Sequence, residues 1–128
     1  MPPKRQVPKP TEFELEILGV LWEKTNATVR DVHETLRQHR ALGYTSVLKT
    51  LQIMTNKGLV TRVESGKAHT YSSAVAQQDT QSRLLQDLST RLFSGSTMQL
   101  AMHALSMQQP SSAELEKIRE LIKRKSNQ

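Results

Sequence analysis

The chain has 128 residues, a formal net charge of +6 and no cysteine, which excludes disulfides and thiolate metal sites. Hydrophobic residues make up 36% and aromatic residues 4%, so one small domain with an appendage has little apolar material for a self-sufficient core. Because the sequence holds neither a long apolar run nor a signal-peptide pattern, we expect a cytoplasmic protein without a membrane segment, and its basic balance favours a polyanionic partner.

The first ten residues carry four prolines and three cations, a composition typical of a disordered basic arm over residues 1–10. Such an arm either touches DNA or stays solvated. Folded structure is expected from Thr11, which with Glu14 three residues later has the form of a capping box. The apolar residues that follow recur at helical spacing and predict an amphipathic first helix: Ile17, Leu18, Leu21 and Trp22.

A second helix is predicted from Thr28, with Asp31 at the position of the capping acid. Its apolar side is formed by residues at three- and four-residue spacing: Val29, Val32 and Leu36. Arg30 lies on the polar face and is predicted to contact DNA phosphates. The connecting turn ends at Gly43, where glycine suits a left-handed backbone.

The third predicted helix, from about Thr45 to Lys57, has an exposed side without acidic residues. At about 100° per residue its buried side is made by Val47, Leu48, Leu51 and Met54. The opposite stripe consists of Thr45, Ser46, Lys49, Thr50, Ile53, Asn56 and Lys57. A solvated helix face usually mixes both signs of charge, so this stripe predicts a recognition helix that enters the DNA major groove.

Individual roles follow from the chemistry of this stripe. Thr45 is expected on a phosphate, because a small hydroxyl at the first turn allows close approach to the DNA backbone. Base readout is expected from Ser46, Lys49 and Thr50. Ile53 is apolar yet exposed, and it contacts either a thymine methyl group or the element that follows the helix.

After Gly58 the hydrophobic period changes from helical to alternating. Two alternating segments around Ser65 and Gly66 predict two strands joined by a tight turn. Three helices followed by such a hairpin form a winged helix-turn-helix, which we assign to residues 11–74. Three polar residues lie where the wing would follow the adjacent DNA backbone: Arg62, Lys67 and His69.

From residue 75 to residue 128 the sequence predicts three short amphipathic helices, separated at residues 94–96 and at Pro110. Each has too few apolar residues to enclose a core alone, so we predict a dimerisation module in which two copies interlock. A monomeric helical cap is the alternative. The residues expected at the dimer interface are Leu84, Leu85, Leu88, Leu92, Phe93, Leu100, Leu105, Leu115, Ile118, Leu121 and Ile122.

The predicted fold is therefore mainly α with a small β-hairpin wing: a winged helix-turn-helix domain followed by a three-helix dimerisation module. Two other functions stay open, a ligand- or metal-responsive winged-helix regulator and a winged-helix protein-interaction module. The histidines show no metal-site spacing: His33, His39, His69 and His103. The sequence also lacks a Gly-rich phosphate loop and a nucleophile motif, so no metal, cofactor or enzymatic activity is expected.

Several segments match one known family along nearly the whole chain. They are residues 11–22 (TEFELEILGVLW), 28–32 (TVRDV), 44–47 (YTSV), 57–60 (KGLV), 93–96 (FSGS) and 112–115 (SAEL). With these segments, residues 10–123 resemble the penicillinase-repressor family, also called BlaI/MecI/CopY. The resemblance implies a transcriptional repressor that binds a dyad-symmetric DNA operator as a homodimer, with half-sites commonly centred on TACA/TGTA.

The chain departs from this family at the sites of induction. Antibiotic-responsive members are released by proteolysis at an Asn-Phe bond, and the resemblance places Asp87 and Leu88 at that bond here. Copper-responsive members use C-terminal cysteines, and this chain has none. The releasing signal therefore stays open between an effector and a protease of different specificity.

Overall fold

The computed structural model describes residues 7–128, which form six helices and one two-stranded antiparallel sheet. In chain order the elements are α1 (Glu12–Lys24), α2 (Val29–Leu36), α3 (Tyr44–Lys57), β1 (Val60–Ser65), β2 (Ala68–Ser73), α4 (Gln77–Leu92), α5 (Thr97–Met107) and α6 (Ser112–Ser126). Three helices, a hairpin and three further helices occur in the predicted order. The prediction of a mainly α fold with a small β-hairpin is confirmed.

The chain divides into two compact units, with the boundary after Thr80. The domain boundary predicted from sequence, after residue 74, lies six residues before this one. The difference is that the first four residues of α4 group with the first unit. Most of the predicted basic arm, residues 1–6, lies outside the described residues. Val7 packs against the hydrophobic core of the first unit, although it precedes the predicted start of folded structure at Thr11.

Both predicted capping boxes are present. The Thr11 hydroxyl accepts a hydrogen bond from the Glu14 N–H at 3.2 Å, and the Glu14 carboxylate accepts one from the Thr11 N–H at 2.9 Å. Thr28 and Asp31 form the same pair of bonds at the start of α2. Each box satisfies backbone donors that a helix leaves free at its N-terminus, and each carboxylate also lies at the positive end of the helix dipole.

The core of the first unit lies where α1, α2, α3 and the hairpin meet. From α3 it takes Val47, Leu51 and Met54, each 0% exposed, as the helical spacing predicts. The other elements contribute Ile17, Leu18, Val20, Leu21, Ala27, Val29, Val32, Leu59, Val60 and Tyr71. Because the inner side of α3 is fully buried in this cluster, its opposite side is presented to solvent.

The two ends of α3 differ in backbone conformation. Gly43 is the N-cap, with φ at −83° and ψ at 147°, so the prediction of a left-handed backbone there is wrong: the chain is extended where it enters the helix. The left-handed residue is Gly58, with φ at 84°, a value that side-chain-bearing residues disfavour. The N–H groups of Gly58 and Leu59 both donate to the Met54 carbonyl. This closure ends α3 at Lys57, and Leu59 then turns back into the core.

The hairpin is fastened to α1 and to the chain that follows α1. Its antiparallel register pairs Val60 with Ser73 at the open end. Tyr71 exchanges two backbone hydrogen bonds with Ala27, at 2.8 and 2.9 Å. The indole N–H of Trp22 donates to the Ser73 hydroxyl at 2.9 Å. These bonds hold the base of the wing, while its tip extends away from the core.

The second unit has well-capped helices and almost no core. Ser96 caps α5, and Ser111 with Glu114 forms a capping box on α6. Within residues 97–107 and 112–126, however, no residue is buried, and the three helices pack little against one another. The helices of this unit are therefore formed, whereas most of their apolar side chains contact few other side chains within one chain.

The contrast between the two sides of α3 predicts two different losses of stability. Leu51→Ala removes a side chain that is 0% exposed and should lower the free energy of unfolding by about 2–5 kcal/mol. Ile53→Ala, on the same helix at 42% exposure, should change it by less than about 0.5 kcal/mol. Urea unfolding followed by circular dichroism measures both, and equal losses would contradict the burial described for this helix.

Candidate nucleic-acid interface

The exposed side of α3 presents hydroxyl, amide and ammonium groups without a carboxylate. Five of the seven predicted stripe residues are exposed: Thr45, Ser46, Lys49, Ile53 and Asn56. Acidic residues are absent from the whole stretch between Glu34 and Glu64. An anionic surface therefore meets no repulsion from this helix or from the turn that leads into it.

Thr50 lies at the edge of the stripe and is partly buried. Its hydroxyl donates to the Ser46 carbonyl within the same helix, at 2.8 Å. This bond uses the only hydroxyl proton and leaves the oxygen as an acceptor. In this rotamer Thr50 can accept from a base amino group but cannot donate to a base.

A cleft of about 370 Å³ lies beside α3, between the start of α2 and the wing. Two cationic side chains and one histidine line it, all predicted as DNA contacts: Arg30 of α2, and Lys67 and His69 of the wing. Tyr44, at the start of α3, lines the same cleft and is 48% exposed. A phosphate backbone needs dispersed cations and hydrogen-bond donors of this kind, so the cleft has the chemistry to hold one strand.

The wing also carries one acidic residue, which the sequence analysis did not weigh. Glu64 has a carboxylate oxygen 3.9 Å from the guanidinium of Arg62, and both side chains are largely exposed. The strand register places Glu64 directly opposite His69. An exposed pair at this distance is weak, but a phosphate approaching Arg62 must compete with this carboxylate.

Lys57 differs from every other residue of the predicted stripe. Its ammonium lies 2.8 Å from the second carboxylate oxygen of Glu14, and Glu14 is only 3% exposed. Burial of the carboxylate opposes its ionisation, but hydrogen bonds from Lys57 and from the Thr11 backbone outweigh this effect and hold the pKa of Glu14 below its usual value. The sequence holds one hint of a partner for Glu14. A capping box occupies only one oxygen of the carboxylate at N3, which leaves the second oxygen free to accept from a cation.

The turn between α2 and α3 is held from both sides. Arg40 lies 4.9 Å above the centre of the Phe13 ring and forms an ion pair with Glu16 at 3.3 Å. His33 bonds through Nε2 to the Leu42 carbonyl at 2.7 Å, and because a carbonyl only accepts, Nε2 carries the proton. These contacts give His33 and Arg40 structural roles that fix where α3 begins.

Residues 7–128 contain neither a metal-binding cluster nor a membrane-spanning helix. No group of three or more histidine, aspartate or glutamate side chains in this range lies close enough together to hold a metal ion. Nor does this part of the chain contain a helix with the length and hydropathy needed to cross a membrane.

Comparison with known proteins identifies relatives for this fold. Residues 10–124 match the family described as penicillinase repressor. Two curated relatives, the transcriptional regulators BlaI of two Mycobacterium tuberculosis strains, are 34% identical over 77 residues, which cover 59% of this chain and 56% of each relative. The match thus spans just over half the length of these relatives. The family description names a repressor and not an enzyme, in agreement with the sequence-based expectation.

Two solved structures share the fold at low sequence identity. One is the solution structure of monomeric Bacillus licheniformis BlaI in complex with the blaP half-operator, with a TM-score of 0.51 and 19% identity, covering 58% of this chain and 90% of that one. The other is the DNA-binding domain of the repressor BlaI, with a TM-score of 0.52 and 19% identity, covering 59% and 92%. At this identity the likeness shows the fold, and the winged helix-turn-helix prediction is confirmed.

The lowered pKa of Glu14 predicts how stability changes with pH. A carboxyl whose pKa is lower in the folded than in the unfolded chain stabilises the fold above the unfolded pKa, and this stabilisation is lost as pH falls through the folded pKa. Stability measured by urea unfolding should therefore fall steeply below about pH 4. Glu14→Gln keeps an acceptor for Thr11 but does not titrate, so it should be less stable at pH 7 and lose less on acidification.

Glu12→Gln, an exposed change in the same helix, is the matched control for that experiment. Parallel pH curves for the wild-type protein and Glu14→Gln would show that this carboxylate has no part in acid unfolding.

Proposed function

We propose that this chain, which belongs to the penicillinase repressor family, is a transcriptional repressor that binds a dyad-symmetric DNA operator as a homodimer. The observation that carries the proposal is the acid-free exposed side of α3, flanked by the cleft that Arg30, Lys67 and His69 line. The half-operator complex of the Bacillus licheniformis relative, which shares this fold, supports DNA as the ligand. Repression then follows from occlusion of the promoter by the bound dimer.

Sequence readout is assigned to the exposed residues of α3. Ser46 donates to or accepts from a base edge, and Lys49 reaches the acceptor atoms of guanine. The Lys49 ammonium has no ion-pair partner among residues 7–128, so no internal bond has to be broken when it binds. Ile53 and Asn56 extend the same surface towards the helix end, and Thr45 at the first turn contacts a phosphate.

The cationic cleft is assigned to the DNA backbone. Its side chains displace condensed counterions from DNA, a contribution that does not depend on sequence and weakens as salt rises. Arg62 adds to this surface only when a phosphate draws its guanidinium away from Glu64. Backbone contacts at both sides of α3 would orient the helix in the groove.

A second copy of the chain accounts for the apolar surface of the second unit. Among residues 7–128, nine of the twelve large apolar side chains that are exposed belong to this unit, including six of the predicted interface residues. The nine are Leu85, Leu88, Leu92, Met98, Met102, Leu105, Met107, Leu121 and Ile122. The other predicted interface residues are already partly buried: Leu84, Phe93, Leu100, Leu115 and Ile118.

The magnitude of this surface favours association. Burying the exposed half of nine such side chains on each of two subunits contributes on the order of 20 kcal/mol at about 25 cal/mol per Å². The entropic cost of bringing two molecules together is about 4–15 kcal/mol. A groove of about 400 Å³ beside Leu105, Pro110 and Ile118 gives the partner's side chains a place to pack. In a two-fold dimer the apolar surface of the second unit contacts the same surface of the partner subunit.

The assignment of Lys49 predicts a loss of both affinity and discrimination. Lys49→Ala should weaken binding to a duplex selected from a randomised pool by about tenfold and weaken binding to a scrambled duplex much less. Fluorescence anisotropy titrations measure both affinities. Lys117→Ala in α6 is the control for loss of one charge. Unchanged affinity and unchanged discrimination would remove Lys49 from the readout surface.

The dimer assignment predicts a monomer when a charge enters the apolar stripe. Leu92 is 66% exposed in one chain, so Leu92→Glu should leave the helices folded yet convert the dimer to a monomer in sedimentation equilibrium. Operator affinity should fall with it, because two linked half-site contacts become independent. Gln86→Glu, at an exposed polar position of α4, should keep the dimer. A wild-type protein that stays monomeric at micromolar concentration would disprove this part of the proposal.

A further inference from the structure

The ion pair between Glu14 and Lys57 joins the ends of two helices of the first unit, and the two residues lie 43 positions apart in sequence. Glu14 is in the first turn of α1, and Lys57 is the last residue of α3. The pair is therefore a direct link between the start of the first helix and the end of the proposed recognition helix.

The two oxygens of Glu14 have separate tasks. Oε1 accepts from the Thr11 N–H at 2.9 Å and completes the capping box of α1. Oε2 accepts from the Lys57 ammonium at 2.8 Å. At 3% exposure the carboxylate has little access to water, and among residues 7–128 it forms an ion pair with Lys57. A buried carboxylate that loses its cation is strongly destabilised.

Lys57 also lies at the junction between α3 and the wing. Gly58 follows it in the left-handed conformation, and Leu59 and Val60 then re-enter the core at 1% and 3% exposure. Val60 is the first residue of β1. A constraint on Lys57 thus sets the position of the end of α3 and the start of the wing relative to α1.

The front of α3 is also held by α1, although more weakly. Arg40, in the turn before α3, pairs with Glu16 while both side chains are about half exposed. Exposed pairs of this kind contribute little to stability. At Lys57 the carboxylate is 3% exposed and the lysine side chain 32% exposed, so this contact is the stronger of the two links between α1 and the ends of α3.

We infer that Lys57 is a positioning residue for DNA recognition: its ammonium, held by Glu14, sets the orientation of α3 and the wing and is not available to a DNA phosphate. The inference deepens the proposed function and rests on it. To reach DNA, the ammonium would have to leave a carboxylate that is 3% exposed, and a phosphate at the surface returns less than that costs.

The two roles differ in their effect on salt dependence and on discrimination. Removal of a phosphate contact weakens binding to all duplexes alike and makes the slope of log K against log salt shallower by about 0.9. Removal of a positioning contact misplaces α3, so it weakens binding to the selected duplex. The contacts to the DNA backbone remain, and the slope of log K against log salt is therefore unchanged.

The experiment compares Lys57→Met with Lys67→Met, a matched loss of one ammonium from the cleft. Each variant is titrated at several salt concentrations with the duplex selected by the wild-type protein and with a scrambled duplex. For Lys57→Met we expect about a tenfold loss on the selected duplex, less than about a twofold loss on the scrambled one, and an unchanged slope. For Lys67→Met we expect similar losses on both duplexes and a slope shallower by about 0.9.

Glu14→Gln also distinguishes a positioning role of Lys57 from a phosphate-binding role, because it removes the partner and keeps the ammonium. It replaces Lys57→Met as the test if that variant does not fold. A positioning role predicts the pattern of Lys57→Met although the ammonium is retained, and it predicts that the double variant is no worse than either single one. A phosphate-binding Lys57, released from Glu14, would instead bind both duplexes more tightly with a steeper slope, which would overturn the inference. Lys57→Arg should recover most of the discrimination.

The outcomes also separate this inference from the proposed function. If Lys57→Met behaves like Lys67→Met, or keeps full affinity and discrimination, the positioning role is wrong and the repressor proposal stands. If the wild-type protein does not distinguish any selected duplex from a scrambled one, the proposed function itself fails.

Discussion

Packing of α3 against the rest of the first unit is the constraint on which its other features depend. Val47, Leu51 and Met54 occupy the centre of the core, which fixes the rotation of the helix about its own axis. The exposed residues on the far side, among them Ser46 and Lys49, then point in a defined direction. Under the inference drawn above, Lys57 at the exit of the helix sets its tilt, and Arg40 at the entrance adds a weaker contact. Specific reading of DNA needs both kinds of constraint, because side chains on a helix that rotates or tilts cannot meet fixed base positions.

The small supply of apolar residues is divided unequally between the two units. The first unit uses its share to bury one compact core, with the capped helices and the hairpin arranged around it. The second unit leaves most of its leucine, isoleucine and methionine side chains in contact with solvent. A chain with this distribution can pack one part by itself, while the other part buries its apolar side chains only on association. Under the proposed function, concentration then controls both the burial of these side chains and the affinity for a two-part operator.

Local chemistry explains which parts of the fold were predictable from sequence. Both capping boxes join residues three positions apart, and the wing is marked by a change of period after Gly58, so each can be read in a short window. Contacts between distant segments have no such signal. Nothing near Lys57 in sequence indicates that its partner is Glu14, 43 residues away. The conformation of Gly43 was mispredicted because a glycine before a helix serves as an N-cap as readily as it serves a left-handed turn.

Trp22 is the single tryptophan of the chain, and its indole is bonded to the end of β2 within the first unit. Its fluorescence therefore reports only on that unit, because the second unit contains no tryptophan. Far-ultraviolet circular dichroism, by contrast, senses every helix. Thermal unfolding followed by both signals, at several protein concentrations, would show whether the two units unfold together or independently. The measurement needs no label or substitution in the protein.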